Sequence, residues 1–192
     1  MNRFVILSGC SGGGKSTLIE ALRRRGHRVV EEPGRRIIAA ERARGGRALP
    51  WVDLAAFLDR AIAMALADRA AAAAGTGLVF FDRGLVDALV ARAHCAGETA
   101  FAAEGAGAAR GGSGEWAALA RAHPSNRAVF FVPPWPGIFR TDGDRRHGLA
   151  EAVAEYDRLA AAYPALGHTL HVLPKVPVET RADHVLAILG AG

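Results

Sequence analysis

The sequence has 192 residues, of which 51% are hydrophobic and 22% are charged, as in globular proteins. A chain of this length suffices for a single domain, 1–192, that buries about 70% of the surface exposed in its unfolded form. No stretch approaches the roughly 18 consecutive apolar residues of a membrane-spanning helix, so we expect no membrane partner.

The cysteine and charge content indicate the cellular location of the protein and the kind of partner it binds. The two cysteines, Cys10 and Cys95, form neither a metal-binding nor a disulfide pattern, which favours a reducing, cytoplasmic location. The net charge of +5 comes mostly from arginine. An excess of arginine indicates either a nucleic-acid partner or a polyanionic small molecule, because guanidinium groups bind phosphate well. The arginines are dispersed and not interleaved with aromatic residues, so we favour the small molecule.

Five short apolar stretches alternate with stretches of helical periodicity, in the order typical of a three-layer α/β fold. The predicted strands are residues 3–8, 28–31, 78–81, 128–132 and 169–173. The predicted helices are residues 18–25, 35–44, 54–74, 85–94, 115–121, 149–163 and 178–189. Strands joined through helices pair in parallel, so we predict a five-stranded parallel sheet. Residues 97–114 are rich in glycine and alanine and are predicted to form a mobile insertion.

The loop after the first strand carries the most specific motif. Residues 9–16 read Gly-Cys-Ser-Gly-Gly-Gly-Lys-Ser, which is the phosphate-binding loop (P-loop) pattern. The glycines let main-chain N–H groups face the phosphates of a nucleoside triphosphate, and the following helix directs its positive end there. Lys15 is expected to reach the β- and γ-phosphates and Ser16 to ligate Mg²⁺, with ATP as the nucleotide. The predicted nucleotide-binding residues are Gly9, Gly12, Gly13, Gly14, Lys15, Ser16 and Thr17.

Glu32 follows the second predicted strand and is a candidate catalytic base. Phosphoryl transfer requires a positioned acceptor for the proton of the attacking hydroxyl group, and a carboxylate serves that purpose. Alternatively, Glu32 is a turn carboxylate paired with Arg35 or Arg36. Strand alternation turns Glu31 the other way, which makes it the weaker candidate. Glu32 and Arg35 are also expected to contact the phosphoryl acceptor.

Asp82 and Arg83 follow the third predicted strand. An aspartate that ends an apolar strand in this way holds Mg²⁺, directly or through water, in many P-loop proteins. The alternative is that Asp82 only caps the next helix. For Arg83, the sequence leaves two interpretations open, a contact with substrate or phosphate and a structural ion pair with Asp87.

The segment 137–148, which we call the lid segment, carries further candidate catalytic residues. Cations in such a segment can neutralise the charge that develops on a transferred phosphoryl group. The alternative is a solvated surface run balanced by Asp142 and Asp144. The candidate arginines are Arg140, Arg145 and Arg146.

These candidates are predicted to converge. In a parallel sheet the active site lies at the carboxyl ends of the strands. The P-loop, Glu32 and Asp82 each follow one strand, so we expect both carboxylates to face the bound triphosphate.

On these residues the chain resembles the P-loop kinases of the nucleoside and nucleotide kinase type. The resemblance implies a three-layer P-loop fold, Glu32 as the catalytic base and an acid–arginine pair at the third strand. The chain is also similar to a family of small bacterial predicted ATPases related to the ribosylnicotinamide kinase domain. That similarity rests on residues 32–35, 81–84, 133–136 and 140–142. Two features depart from the deoxynucleoside kinase pattern: the spacing of the lid arginines, and Gly84 in place of the usual serine.

Two classes of function follow from this pattern. The first is an ATP-dependent kinase that phosphorylates a small molecule such as a nucleoside or nucleotide. The second is a regulatory NTPase that acts with a protein or nucleic-acid partner. Against the second, the third strand ends in Asp-Arg without a water-activating glutamate, and the sequence lacks the Asn-Lys-x-Asp motif of GTPases. A nucleotide-binding module without turnover is a third interpretation. The sequence predicts neither the acceptor nor the oligomeric state.

Overall fold

The computed structural model describes residues 2–98, 101, 113–144 and 146–191. Most of the predicted insertion at 97–114 therefore lies outside the described residues, and so does Arg145. Within the described ranges, no helix combines the length and the apolar character needed to cross a membrane.

Five strands and seven helices follow one another along the described chain. In order they are β1 (Phe4–Gly9), α1 (Lys15–Arg24), β2 (Arg28–Val30), α2 (Pro33–Arg44), α3 (Leu54–Ala72), β3 (Val79–Asp82), α4 (Leu85–Cys95), α5 (Ser113–Ala122), β4 (Ala128–Val132), α6 (Leu149–Ala165), β5 (Thr169–Val172) and α7 (Val178–Leu189).

All five strands are parallel, in the order β2-β3-β1-β4-β5. This confirms the predicted α/β fold with a five-stranded parallel sheet. Because β3 lies between β2 and β1, the carboxyl ends of these three strands are neighbours at one edge of the sheet. The segments that follow them are the start of α2, the turn into α4 and the P-loop.

Strand alternation divides the core between the two faces of the sheet. Val5 and Leu7 of β1 pack with α1 and α7, whereas Ile6 packs with α3, α4 and α6. Phe80 and Phe81 of β3 divide in the same way. Both faces of the central strands are thus covered by helices, which explains why these strands have continuous apolar sequences.

The structure corrects several predicted boundaries near the site, and two of these corrections concern the candidate carboxylates. Helix α2 begins at Pro33, two residues earlier than predicted, because proline at the first helical position needs no N–H partner. Asp82 is the last residue of β3 instead of the first residue after it, and its main chain pairs with Leu7. Glu32, at the N-cap of α2, and Asp82, at the end of β3, are therefore both held by regular secondary structure.

Candidate active site

The P-loop depends on glycine at both of its ends. Gly9 has φ of 104°, and a Cβ atom there would lie 2.4 Å from the carbonyl oxygen of Val132 on β4. Gly14 has φ of 84° and occupies the N-cap position of α1. The amide of Cys10, the residue after Gly9, donates to the same Val132 carbonyl at 2.9 Å. The loop is therefore fixed against β4 in a conformation that only glycine adopts without strain.

Lys15, the first residue of α1, folds back over the loop. Its Nζ donates to the carbonyl oxygens of Cys10 at 2.9 Å and Gly9 at 3.4 Å. Burial, together with the charge of Arg83, lowers the pKa of Lys15, while Asp82 and Glu32 act in the opposite direction. The buried ammonium group thus has neutral carbonyl acceptors, and a phosphate bound in the loop would provide an anionic one.

Ser16 and Asp82 meet beside Lys15. The Ser16 hydroxyl donates to Oδ2 of Asp82 at 2.9 Å, while the buried Oδ1 has no hydrogen-bond partner within the described residues. Burial raises the pKa of the Asp82 carboxyl group, and Lys15 acts against that shift. A cation beside Oδ1 would satisfy the unpartnered oxygen and stabilise the carboxylate.

These two oxygen donors fit Mg²⁺, which prefers oxygen ligands and keeps part of its water shell. In the described part of the chain, no cluster of three or more His, Cys, Asp or Glu side chains is placed to hold a metal. An ion held by Ser16 and Asp82 would thus complete its coordination with phosphate oxygens and water.

Glu32 lies at the N-cap position of α2 with its side chain 26% exposed. Its carboxylate is 3.5 Å from Nε of Arg83 and 3.9 Å from Nε of Arg35, so both ion pairs are loose. Arg36, the other partner considered from the sequence, binds Asp68 instead. By contrast, Glu31 is 63% exposed and binds Arg23 of α1. Among these contacts, the carboxylate of Glu32 is therefore held only by long ion pairs.

Arg83 has φ of 69°, in the left-handed region that non-glycine residues rarely adopt. Its guanidinium group is surrounded by the carboxylates of Glu155 at 3.0 Å, Asp87 at 3.3 Å and Glu32 at 3.5 Å. Burial opposes its charge, but these carboxylates outweigh burial, so the pKa of Arg83 is raised. The ion pair with Asp87 considered from the sequence is present, whereas the shorter one with Glu155 of α6 was missed.

Asp87 is a buried hydrogen-bond centre that the sequence did not reveal. It accepts hydrogen bonds from the hydroxyl groups of Ser8 and Tyr163, both at 2.6 Å, and from the amide of Gly84 at 2.8 Å. Burial, followed by the charge of Asp87, raises the pKa of Tyr163 well above its usual range, so its hydroxyl stays a donor. Tyr163 lies 76 residues from Asp87 along the chain, so no local pattern links the two.

Gly84 has a packing reason to lack a side chain. A Cβ atom at this position would lie 3.0 Å from Cδ1 of Ile6, which is closer than ordinary van der Waals contact. The serine usual among deoxynucleoside kinases would therefore press on the core here.

A cavity of about 560 Å³, which we call the lateral cavity, opens between the strand ends and helices α2, α3, α4 and α6. Its lining includes Ser11 of the P-loop, Glu32 and Arg83, so the cavity reaches the phosphate-binding region. Its apolar lining includes Pro33, Ile38, Pro50, Trp51, Leu54, Phe57, Leu58, Ala61, Ala88 and Ala91. This volume and mixed lining are typical of small-molecule sites.

The lid segment is joined to α2 by ion pairs. Arg35 binds Asp142 at 2.8 Å, and Arg42 binds Asp144 at 2.6 Å. Arg35 thus lies between the lid segment and the rim of the lateral cavity, where the sequence predicts an acceptor contact.

The two lid arginines in the described ranges differ in position. The guanidinium carbon of Arg146 lies 3.8 Å from the ring centroid of Trp51, and both residues line the lateral cavity. Arg140 is exposed, and its Nη1 donates to the carbonyl oxygen of Phe139 at 2.7 Å. Arg146 therefore faces the lateral cavity, whereas the hydrogen bond between Arg140 and Phe139 is local.

Over residues 4–181 the sequence matches the family model AAA_28, described as an AAA domain. The chain belongs to the AAA_28 family. Among curated proteins, no match to this AAA_28 chain was found.

Solved structures share the fold of this AAA_28 chain at low sequence identity. One is deoxyadenosine kinase from M. mycoides with bound dATP, with a TM-score of 0.64, 13% identity, and 99% of this chain and 100% of that chain covered. Another is shikimate kinase from Acinetobacter baumannii in complex with shikimate, with a TM-score of 0.57, 14% identity, and 100% of this chain and 94% of that chain covered. The chain thus shares the predicted α/β fold with these two kinases.

Proposed function

We propose that this protein is an ATP-dependent phosphotransferase that moves the γ-phosphoryl group of ATP to a hydroxyl group of a small molecule. The observation that supports this proposal most directly is the position of Glu32. It lines the lateral cavity and lies close enough to Lys15 to interact with its charge. A hydroxyl group at that end of the cavity would lie between a proton acceptor and the phosphate-binding loop.

Each group at this end of the sheet receives a role in the proposed reaction. The P-loop amides and Lys15 hold the triphosphate, and Lys15 neutralises charge that develops as the γ-phosphoryl group transfers. Glu32 accepts the proton of the attacking hydroxyl group, and ADP leaves. Mg²⁺ held by Ser16 and Asp82 would supply Lewis-acid stabilisation of the phosphate oxygens.

The lateral cavity is proposed to hold the acceptor, with Glu32, Arg35 and Arg83 among its contacts. Its apolar wall suits a ring or other flat apolar group. Arg158 of α6 also lines the cavity, and its buried Nε has no hydrogen-bond partner in the described ranges. A polar group on the acceptor would supply one.

Membership in a family described as an AAA domain favours a second candidate, a regulatory NTPase. The two candidates differ in where the γ-phosphoryl group goes. A kinase passes it to a small molecule, whereas an NTPase releases inorganic phosphate.

A transfer assay with [γ-³²P]ATP and Mg²⁺ distinguishes them. We expect a thermal-shift screen of nucleosides, nucleotides and vitamin precursors, run with a non-hydrolysable ATP analogue, to identify compounds that raise Tm further than the analogue alone. With such a compound, radiolabel is expected in the compound and not in free phosphate. Label found only in inorganic phosphate, at a rate that no compound in the panel changes, would instead support the NTPase.

Removing Arg145 and Arg146 together is expected to lower kcat by at least about tenfold while ATP affinity changes less. Cations that act on charge developed in the transition state contribute little to binding of the ground state. The measurements are steady-state kinetics and calorimetric ATP binding. Arg121→Ala, which removes an exposed arginine of α5, is the control and should leave both quantities unchanged. Equal losses in kcat and ATP affinity would assign the lid arginines a ground-state role.

A further inference from the structure

Arg181, in the first turns of α7, is a buried cation next to the P-loop that sequence reasoning missed. The residue is only 5% exposed. Its Nη1 lies 3.4 Å from the carbonyl oxygens of both Gly13 and Gly14, which is long for hydrogen bonds from a charged group. The loop and Arg181 are separated by 168 residues in sequence, so only the fold brings them together.

The remaining surroundings of this guanidinium group are also poor in acceptors. The guanidinium carbon lies 5.6 Å from the ring centroid of Trp135, and the buried Nε has no hydrogen-bond partner within the described residues. Among the described residues, no carboxylate forms an ion pair with Arg181, and burial lowers the pKa of Arg181. Arg83 provides the contrast, because three carboxylates compensate its burial.

A buried charge without an anionic partner destabilises the folded protein. Such a charge persists where another molecule compensates it. The position of Arg181 indicates which molecule. Its Nη1 lies 3.1 Å from the point where a Cβ atom of Gly14 would be, and Gly14 is the N-cap of α1. The N-terminus of a helix that follows a glycine loop is where phosphate groups bind.

We propose that Arg181 is a nucleotide-binding residue, whose positive charge is compensated when the phosphates of a nucleoside triphosphate occupy the P-loop. This inference rests on the proposed function only in requiring that the loop binds ATP. It adds that α7, at the far end of the sequence, contributes directly to the affinity of the loop for the triphosphate. Arg181 therefore lowers the stability of the nucleotide-free protein and stabilises the complex with the triphosphate.

The competing explanation is that Arg181 only clamps α7 to the loop carbonyls. The two explanations predict opposite effects for Arg181→Met, which keeps most of the apolar bulk and removes the charge. If Arg181 binds nucleotide, Tm of the nucleotide-free variant equals or exceeds the wild-type value, and Kd for the non-hydrolysable analogue AMP-PNP rises at least tenfold. If Arg181 is a clamp, Tm of the nucleotide-free variant falls.

The experiment combines calorimetric titration with AMP-PNP and Mg²⁺ and thermal unfolding without nucleotide. Arg69→Met is the matched control, since burial also lowers the pKa of Arg69, which lies 4.9 Å from the Phe4 ring and donates to the carbonyl of Pro124. We expect this control to lower Tm and to leave Kd unchanged. Arg181→Lys, which keeps the charge, is expected to retain more AMP-PNP affinity than the methionine variant and serves if that variant does not fold.

Two results would overturn the inference: a Kd for AMP-PNP within twofold of wild type in Arg181→Met, or a lower Tm of the nucleotide-free variant whatever its affinity. If only Arg181→Lys folds, the inference would be overturned by a Kd of this variant for AMP-PNP equal to that of wild type together with a lower Tm of the nucleotide-free variant. Failure of the wild-type protein to bind AMP-PNP would overturn the proposed function together with the inference. The two failures are therefore distinguished by the wild-type titration.

Discussion

Lys15→Ala is expected to reduce ATP turnover by about 10³-fold or more, to background. A loss of that size corresponds to about 4 kcal/mol of transition-state stabilisation. The physical reason is that the Nζ of Lys15 already lies at the P-loop, within hydrogen-bond distance of the carbonyl oxygens of Cys10 and Gly9. Its charge is buried, and a buried charge acts more strongly on a nearby phosphate than an exposed one.

Multiple-turnover ATP consumption with Mg²⁺ measures this effect. The variant loses a buried cation together with its side chain, so its folding is checked by circular dichroism and by Tm without nucleotide. A folded Lys15→Ala variant with normal turnover would show that the reaction takes place elsewhere on the protein.

Glu32→Gln is expected to slow phosphoryl transfer by about 10²-fold or more while leaving ATP affinity nearly unchanged. The amide cannot accept the proton of the acceptor hydroxyl group, but it occupies the same volume at the start of α2. Arg83 keeps its shorter ion pairs with Glu155 and Asp87, so the fold near the site should survive the change. Single-turnover transfer and calorimetric ATP binding separate the two quantities.

Glu31→Gln is the matched control for this variant. It makes the same chemical change one residue earlier, on a side chain that faces α1 and binds Arg23. We expect its transfer rate to equal that of wild type. Loss of ATP affinity in Glu32→Gln with fast single-turnover transfer would remove Glu32 from the role of catalytic base.

The fold was largely predictable because its determinants are local. The strands are short apolar runs, the helices have a clear apolar period, and β4 and α7 begin and end where predicted. Strand order is a different matter, since it depends on contacts between distant segments. The sequence indicated that β2, β3 and the P-loop strand end at one edge, and the structure adds that β3 lies between the other two.

The candidate site was predictable only where a residue is tied to a motif or to the end of a strand. Lys15, Ser16, Asp82 and Glu32 satisfy that condition, and the structure brings them together. Their chemical roles remain predictions. Glu155, Tyr163 and Arg181 reach the site from helices late in the chain, and their sequence surroundings are those of ordinary amphipathic helices. No periodicity or spacing distinguishes such residues.

The hydrogen bonds around Asp87 constrain how this protein can diverge. Ser8, Asp87 and Tyr163 come from three separate elements and satisfy one another in the interior. Loss of any one leaves a buried polar group without its partner, at a cost of about 1–3 kcal/mol. We therefore expect relatives that replace one of the three to carry compensating changes at the others, so that these positions covary in an alignment of the family. A search for distant members of the family can use these three positions together with the P-loop.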